Sequence, residues 1–411
     1  MASPWFQEVV EVFEHSSLRV LSLYEGFFSG GARVLHSTVV SGLHAHGHQQ
    51  HSALSLYSAV RRETMLQRME DDPRFLALRA AGVRISTLGR STDDDHDPRV
   101  FTDAEMEVAR REATGADVVL SLKEQPLRLA NAAGFPDRPV VACLHRSDPE
   151  NSGAALDDLR TAADSGLLAA AVCCAESTRD AYAAAGVPEH LLKVVPNGID
   201  LTRFHPLRRV RRLALRGSAG IPADATLVAY AARYDAMKNP TLFVAAARQF
   251  LERDDSGHVM MCGAGMTRDN TGLTELLDQA FGDRPDLLAR VHTLGVRRDM
   301  ENVYAMADVV ALTSAYGEAA PLCLIEGAMS GAVPVTTPVG DSARLVERIG
   351  FVTGFDAAEI AETWIEAAAR RGELRGALTA ARQRFSHVRM LSGYAQVLEQ
   401  AVRGTGLQVA A

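Results

Sequence analysis

The segment GEAAPLCLIEGAMSG at residues 317–331 places two glutamates, Glu318 and Glu326, around a proline and an apolar run. Pro321 favours a helix start and Gly331 favours a helix stop, so we predict a helix over residues 321–330. The N-terminus of a helix carries unpaired backbone N–H groups and the positive end of the helix dipole, which together form an anion site. A plainer interpretation stays open, in which Glu318 only stabilises the dipole and Glu326 lies on a solvated face.

The same strand-then-helix pattern extends outward along nearly the whole chain. Continuous apolar runs such as DVVLSL (117–122), PVVACLH (139–145) and DVVALTS (308–314) alternate with helical patterns. Such runs are typical of strands buried on both faces of a parallel sheet, and their alternation with helices predicts doubly wound α/β domains. Because 411 residues exceed one ordinary core, we predict two Rossmann-like domains joined near residue 206 and one amphipathic C-terminal helix.

The composition excludes several classes of protein. The chain is 47% hydrophobic and 23% charged with a net charge of −8, which argues against nucleic acid as a partner. No apolar run approaches the length of a membrane span, and the N-terminal stretch lacks a cationic signal region, so we expect a cytoplasmic protein. The five cysteines lack a CxxC pair and are expected to be reduced.

Cations and glycines occupy the loops that follow other predicted strands. Arg233 and Lys238 lie between the first strand and first helix of the second series, where two cations can neutralise a diphosphate. Gly263 and Gly265 end its second strand, and the pair Gly30–Gly31 follows the first strand of the chain; both permit close backbone approach to a ligand. The dinucleotide fingerprint G-x-G-x-x-G is absent, which disfavours a nicotinamide or flavin site.

The order of these motifs resembles the retaining glycosyltransferases of family four, over nearly the whole chain. The resemblance rests on Gly30–Gly31, Gly47–His48, His145, the PNGID segment at 196–200, the R-x4-K pair at 233–238, G-x-G at 263–265, and E-x7-E at 318–326. It implies the GT-B fold, with two Rossmann-like domains facing across a cleft. The implied acceptor domain is 1–205, the implied nucleotide-sugar domain is 206–386, and the helix at 387–411 would return to the N-terminal domain.

By this resemblance, Arg233 and Lys238 contact the donor diphosphate, Glu326 the nucleotide ribose, and Glu318 the hydroxyls of the donor sugar. His145 would lie near the reacting sugar. The remaining donor-binding residues implied are Gly30, Gly31, Gly263, Gly265 and the backbone of Ala319, Ala320 and Leu322. The donor is a UDP- or GDP-linked sugar acting as substrate; no cofactor and no metal are expected. The acceptor is expected to be a small molecule, a natural product or a glycolipid.

Other functions remain open from the sequence. Within the same fold, a sugar phosphorylase or a sugar-phosphate synthase is an alternative. A Rossmann oxidoreductase or epimerase, and a non-catalytic nucleotide-sugar-binding subunit, are alternatives of other classes. The acidic loop STDDDHDP (91–98) is interpreted as solvated, or else as attracting a cationic acceptor. The arginine-rich stretch at 208–216 is interpreted as a solvated linker helix, or else as a contact with anionic lipid.

Overall fold

The structure, a computed structural model, describes residues 18–28, 30–45, 49–62, 65–146 and 153–404. The chain divides into two compact units. Unit 1 extends to Pro196 and resumes at Val388, and unit 2 is Asn197–His387. Both contain parallel sheets with helices on their faces, which confirms the predicted fold class.

Within the described residues, unit 1 contains an eight-stranded sheet in the order β3-β2-β1-β5-β6-β7-β8, with β4 also pairing with β2. All of its pairings are parallel except β2 with β3. The central strands are apolar on both faces, as predicted for strands covered by helices on each side. The strands are β1 (Leu18–Tyr24), β2 (Gln49–Arg62), β3 (Met65–Arg68), β4 (Arg84–Ser91), β5 (Val118–Leu122), β6 (Val140–Leu144), β7 (Leu168–Cys173) and β8 (Leu192–Val194).

The helices of unit 1 follow the strands in the expected alternation. From the sequence we predict a strand at SALSLYS (52–58) followed by a helical stretch to Ala80, and this prediction is wrong for the first part of that stretch. Strand β2 continues to Arg62 because its second half pairs with β4 on one side and antiparallel β3 on the other. These ladder hydrogen bonds outweigh local helix propensity. The helices are α1 (Gly31–Ala45), α2 (Pro73–Ala80), α3 (Asp103–Thr114), α4 (Leu127–Ala130), α5 (Ala154–Asp164) and α6 (Glu176–Ala184).

Unit 2 contains, among its described residues, a six-stranded parallel sheet in the order β11-β10-β9-β12-β13-β14. The strand order reverses direction between β9 and β12, the topological switch point at which doubly wound sheets bind ligands. The strands are β9 (Thr226–Ala231), β10 (Gly257–Cys262), β11 (Val291–Gly295), β12 (Val309–Leu312), β13 (Val333–Thr336) and β14 (Phe351–Val352). The helices are α7 (Arg209–Ser218), α8 (Pro240–Arg253), α9 (Thr271–Phe281), α10 (Pro285–Leu288), α11 (Met300–Met306), α12 (Leu322–Met329), α13 (Ser342–Val346), α14 (Ala357–Ala369) and α15 (Arg371–Ala380).

The segment 197–205, which sequence analysis assigned to the first domain, packs within unit 2. Ile199 is buried in the unit 2 core, its backbone N–H donates to Phe385 O at 2.9 Å, and its carbonyl accepts from His387 N at 3.0 Å. A Cβ at Gly198 would lie 2.4 Å from Ser386 O. Glycine is therefore required here by close backbone approach between the two ends of the unit.

The final helix, α16 (His387–Gly404), joins unit 1 almost from its start. Its apolar face is buried, with Leu391 against Gly42 and Gly393 against Val195. Tyr394 hydrogen-bonds the Cys143 thiol of β6. Among the described residues, no helix is both long and apolar enough to cross a membrane.

The arginine-rich helix α7 is only partly solvated, so the interpretation as a solvated linker helix is wrong for its inner face. Arg216 is 2% exposed, and Arg212 is partly buried. Both guanidiniums pair with Asp308 at 2.6 Å, and both donate to carbonyls at the C-terminus of α11. Cations at that end of a helix are favourable because they satisfy its unpaired carbonyls and oppose the negative end of the dipole.

Candidate functional site

The unit 2 candidates gather at the carboxyl edge of its sheet. Arg233 and Lys238 lie in the loop after β9, and Glu318 lies in the loop after β12. Because β9 and β12 are adjacent strands at the switch point, their loops emerge side by side. This arrangement brings the predicted cations close to the predicted acid, although Lys238 and Glu318 are 80 residues apart in sequence.

Lys238 and Glu318 form an ion pair between Nζ and Oε1. The side chains are only 15% and 6% exposed, so the pair is largely withdrawn from water. Ser314 Oγ donates to the same carboxylate oxygen at 2.6 Å. The Lys238 carbonyl accepts a hydrogen bond from Tyr230 OH at 2.6 Å, which fixes the lysine backbone to the end of β9. The ammonium has three N–H donors, so it can hold Glu318 and a further acceptor at once.

Arg233 lies in the same loop but is held differently. Its guanidinium pairs with Asp235 at 2.9 Å, and its side chain is 52% exposed. An exposed pair of this kind contributes little to stability, so Arg233 can leave Asp235 for a stronger anion at small cost. Arg233 therefore shares a loop with Lys238, but its guanidinium pairs with Asp235 and not with the carboxylates of the predicted site.

Glu326 lies on α12, the helix that follows Glu318, and its side chain contacts Tyr304 of α11. Burial raises the pKa of Glu326 to about 7, and the hydrogen bond from Tyr304 and the charge of Arg203 partly oppose this rise. The alternative of a fully solvated Glu326 is wrong, since the side chain is only partly exposed. A carboxyl group with a pKa near neutral, close to the sheet edge at which doubly wound domains bind ligands, is a candidate functional residue.

The segment leading into α12 supplies backbone donors. Within the described residues, the N–H groups of Ala319, Ala320 and Leu322 donate to no protein acceptor. The carbonyls of this segment are occupied: Ala319 O accepts from Asp341 N at 3.0 Å, and Ala320 O accepts from Asn197 Nδ2 at 3.0 Å. The loop is thus fixed through its acceptors, and its donors remain available to an anion or a hydroxyl.

The glycines at 263 and 265 have a more immediate role than ligand approach. A Cβ at Gly263, where φ is +134°, would lie 1.9 Å from Ala232 O, and one at Gly265 would lie 2.8 Å from Tyr234 Cβ. Both glycines let the end of β10 pack directly against the loop that carries Arg233 and Lys238. Because neither glycine has a side chain, the loop that carries Arg233 and Lys238 can lie this close to the end of β10.

The unit 1 candidates gather at the switch point of the other sheet, where β1 lies beside β5. Gly30 precedes α1 and Gly31 begins it. An added Cβ at Gly31 would meet nothing within 4 Å, and one at Gly30 would lie 3.8 Å from Arg33 Nη1. The open space at Gly31 is compatible with close approach of a ligand. The Gly47–His48 motif lies outside the described residues.

His145 follows β6, the next strand along the same edge. Burial lowers the pKa of His145 to about 3, and the charge of Lys123 lowers it further, so the imidazole is neutral at physiological pH. Its Nε2 is buried and has no hydrogen-bond partner among the described residues. An unpartnered ring nitrogen of this kind can exchange a hydrogen bond with a hydroxyl group.

Sequence reasoning missed several residues that shape these edges. Lys123, which follows β5, carries a φ of +66° and lies beside His145. Tyr304 and Ser314 hold the two glutamates, and Asp235 holds Arg233. Only Asp235, which lies two residues after Arg233 in the same loop, had a local signal. The others come together through strand order. Among the described residues, no group of three or more His, Cys, Asp or Glu is arranged to hold a metal ion.

Comparison with known proteins supplies two family matches. Residues 28–203 match the family model described as Glycosyltransferase Family 4. Residues 225–370 match the model described as Glycosyl transferases group 1. The first match covers unit 1 and extends into the first residues of unit 2, and the second lies within unit 2. The segment between them, residues 204–224, contains all of α7 and is unmatched.

Individual relatives are distant and match in part. The D-inositol 3-phosphate glycosyltransferase of Saccharomonospora viridis is 32% identical over 236 residues, 53% of each chain. The protein of the same name from Corynebacterium kroppenstedtii is 30% identical over 171 residues, 39% of this chain and 38% of that one. Each match thus spans about half or less of the relative. Anabaena HepE, solved in complex with UDP and glucose, has a TM-score of 0.73 at 20% identity, covering 93% of this chain and 99% of HepE.

The buried Lys238–Glu318 pair yields a stability prediction. Glu318→Gln leaves the Lys238 ammonium buried without its carboxylate, so the free energy of unfolding of unit 2 should fall by about 3 kcal/mol. Thermal unfolding followed by circular dichroism measures this loss. Glu366→Gln, which breaks the exposed Arg370–Glu366 pair on α14, is the matched control and should leave the midpoint unchanged. Equal midpoints for Glu318→Gln and the wild type would contradict the assignment.

Proposed function

Because residues 28–203 match Glycosyltransferase Family 4 and residues 225–370 match Glycosyl transferases group 1, we propose that the chain is a retaining glycosyltransferase that uses a UDP- or GDP-linked sugar as donor. The observation that carries the proposal is the Lys238–Glu318 pair at the unit 2 switch point, with Arg233 in the same loop and Glu326 on the following helix. HepE, whose fold this chain shares, binds UDP and glucose, which supports the same donor class.

The residues of unit 2 fit the parts of such a donor. Arg233 and Lys238 bind the diphosphate, because their positive charges stabilise the departing nucleotide without a metal ion. Glu318, fixed by Lys238 and Ser314, accepts from sugar hydroxyls. The unpaired N–H groups of Ala319, Ala320 and Leu322 donate to sugar or phosphate oxygens. Glu326 accepts from the ribose hydroxyls of the nucleotide.

The reaction breaks the bond between the anomeric carbon and the diphosphate oxygen and forms a bond from the acceptor oxygen on the same face. The proton of the acceptor hydroxyl passes to the departing phosphate, so charge and atoms balance. Positioning and stabilisation of the leaving group supply the catalysis. Neutral His145, with its unpartnered Nε2, hydrogen-bonds a hydroxyl of the reacting sugar.

The first experiment is thermal stabilisation by UDP-, GDP-, ADP- and TDP-sugars, with NAD(P) as a control ligand. A ligand that binds only the folded protein raises its melting temperature. We expect one nucleotide sugar to raise the melting temperature of the wild type and Arg233→Ala to lose most of that shift. Arg253→Ala, an exposed arginine on the neighbouring helix α8, should retain it. Stabilisation by NAD(P) alone would overturn the proposal, as would a shift that Arg233→Ala leaves intact.

The raised pKa of Glu326 predicts how donor binding depends on pH. Ribose hydroxyls donate to the ionised carboxylate, whereas below a pKa of about 7 the group is mostly protonated. Affinity for the nucleotide sugar should therefore rise by about ten-fold between pH 6 and pH 8. Isothermal titration calorimetry measures this, since the diphosphate diester keeps its charge over the range. Glu326→Gln should bind more weakly and with no pH dependence; an unchanged pH profile in that variant would exclude the ribose role.

The unit 1 edge favours an acceptor that carries an anionic group. Burial lowers the pKa of Lys123, and the positive charges of Arg33 and Arg146 lower it further, whereas the negative charges of Glu124 and Glu25 oppose this. Three cations thus lie close enough at this edge for their charges to interact, and an anionic group could bind among them. The curated relatives are named for an inositol phosphate, which has such a group. The acidic loop at 91–98 gives little support to a cationic acceptor, because Asp93 already pairs with Arg61.

The acceptor proposal predicts a selective loss. Lys123→Ala should raise KM for a phosphorylated cyclitol acceptor by about ten-fold, while KM for the donor stays unchanged, because only the acceptor's phosphate loses a cation. Steady-state transfer assays with inositol phosphate and with inositol as paired acceptors measure the difference. Lys193→Ala, an exposed lysine on β8, is the control and should behave as the wild type. Equal losses with both acceptors would contradict an anionic acceptor.

A further inference from the structure

A cavity lies at the edge of the unit 2 sheet opposite to the loops of the proposed donor site. It has a volume of about 780 Å³, within the range of small-molecule sites. Asp308 and Gly331, which line it, lie just before β12 and β13 at the amino edge of the sheet, whereas Glu318 follows β12 at the carboxyl edge. No residue of the proposed donor site contributes to this cavity.

The lining is strongly cationic for a chain whose net charge is −8. It contains two carboxylates, Asp224 and Asp308, and no lysine. The lining also contains six arginines: Arg208, Arg209, Arg212, Arg371, Arg375 and Arg382. Positive charge gathered in a concave surface attracts anions, because the low-dielectric walls focus the field.

Helix capping explains part of this set. Arg212 donates to carbonyls at the end of α11, Arg371 donates to Gly331 O at 2.8 Å, and Arg382 donates to Met329 O at 2.9 Å. These contacts satisfy carbonyls at the C-termini of α11 and α12. They also hold the guanidiniums in fixed positions along the cavity wall.

Capping does not explain Arg208, Arg209 and Arg375. All three are exposed, and among the described residues none of them forms an ion pair or a hydrogen bond through its side chain. They nonetheless line the same cavity as the capping arginines. Burial lowers the pKa of Arg371 to about 10, and the nearby charges of Arg212, Arg216 and Arg375 lower it further against Asp308. The cations therefore repel one another, and an anion bound among them would relieve that repulsion.

We propose that this arginine cavity, lined by Arg208, Arg209, Arg212, Arg371, Arg375 and Arg382, binds a multiply charged phosphate-bearing ligand. The planar guanidinium fork matches phosphate oxygens two at a time, which an ammonium does not. Four more cations than carboxylates line the cavity, six against two, which suits more than one anionic charge. The site is separate from the donor site, so it stands independently of the proposed transfer reaction.

The probe for the cavity is inorganic tripolyphosphate, titrated into the full chain by isothermal calorimetry. The variant Arg208→Glu/Arg375→Glu changes two exposed arginines that no described residue holds, so the fold should persist, as circular dichroism would show. We expect it to bind tripolyphosphate at least about ten-fold more weakly than the wild type. The control Arg211→Glu/Arg253→Glu makes the same change in charge at exposed positions outside the cavity and should bind as the wild type does.

Vesicles of phosphatidylglycerol, compared with phosphatidylcholine, identify the source of the phosphate. If the wild type sediments with phosphatidylglycerol vesicles and the cavity variant Arg208→Glu/Arg375→Glu does not, the site is assigned to a lipid headgroup. Tripolyphosphate binding without vesicle binding assigns it to a free phosphate compound. The proposal is overturned if tripolyphosphate does not bind, if the cavity variant binds as tightly as the wild type, or if the control variant loses as much affinity.

Discussion

The buried pair between Lys238 and Glu318 is the interaction on which the unit 2 site depends. It joins the loop after β9 to the loop after β12, the two strands at which the strand order reverses. Removing either partner of a largely buried ion pair is strongly destabilising, because the other is left without its counter-charge. The pair therefore fixes where the N-terminus of α12 lies relative to the Arg233 loop, and it keeps a cation and a carboxylate at one edge in defined positions.

The surrounding packing supports this pair with little freedom. Gly263 and Gly265 let β10 contact the loop from one side, and Tyr230 and Ser314 hold the lysine backbone and the glutamate carboxylate. A site whose polar groups are held by neighbours needs little rearrangement to receive charge. The groups left with unused hydrogen-bonding capacity are the remaining donors of the Lys238 ammonium, the N–H groups of the loop before α12, and the exposed guanidinium of Arg233.

The two edges of the unit 2 sheet use charge differently. At the carboxyl edge, cations and carboxylates are balanced and arranged around a helix N-terminus. At the amino edge, arginines collect around the C-termini of α11 and α12, where cations are favourable, and continue beyond the carbonyls they satisfy. The helix directions set by a parallel sheet thus explain why positive side chains gather at that edge. They do not by themselves account for the exposed arginines that share the cavity.

The sequence alone determined the fold class, because buried parallel strands and their helices have periodicities that local residues set. It also indicated Arg233, Lys238, Glu318 and Glu326, since each lies in a strand-to-helix connection or on the helix that follows. It did not reveal that Lys238 and Glu318 pair, that Tyr304 covers Glu326, that Lys123 lies beside His145, or that the arginines of α7 and α15 share a cavity. Those relations join residues distant in the chain, and strand order together with helix packing decides them. Burial raises the pKa of Glu326 and lowers that of His145, and it arises only when the chain of each unit folds and packs.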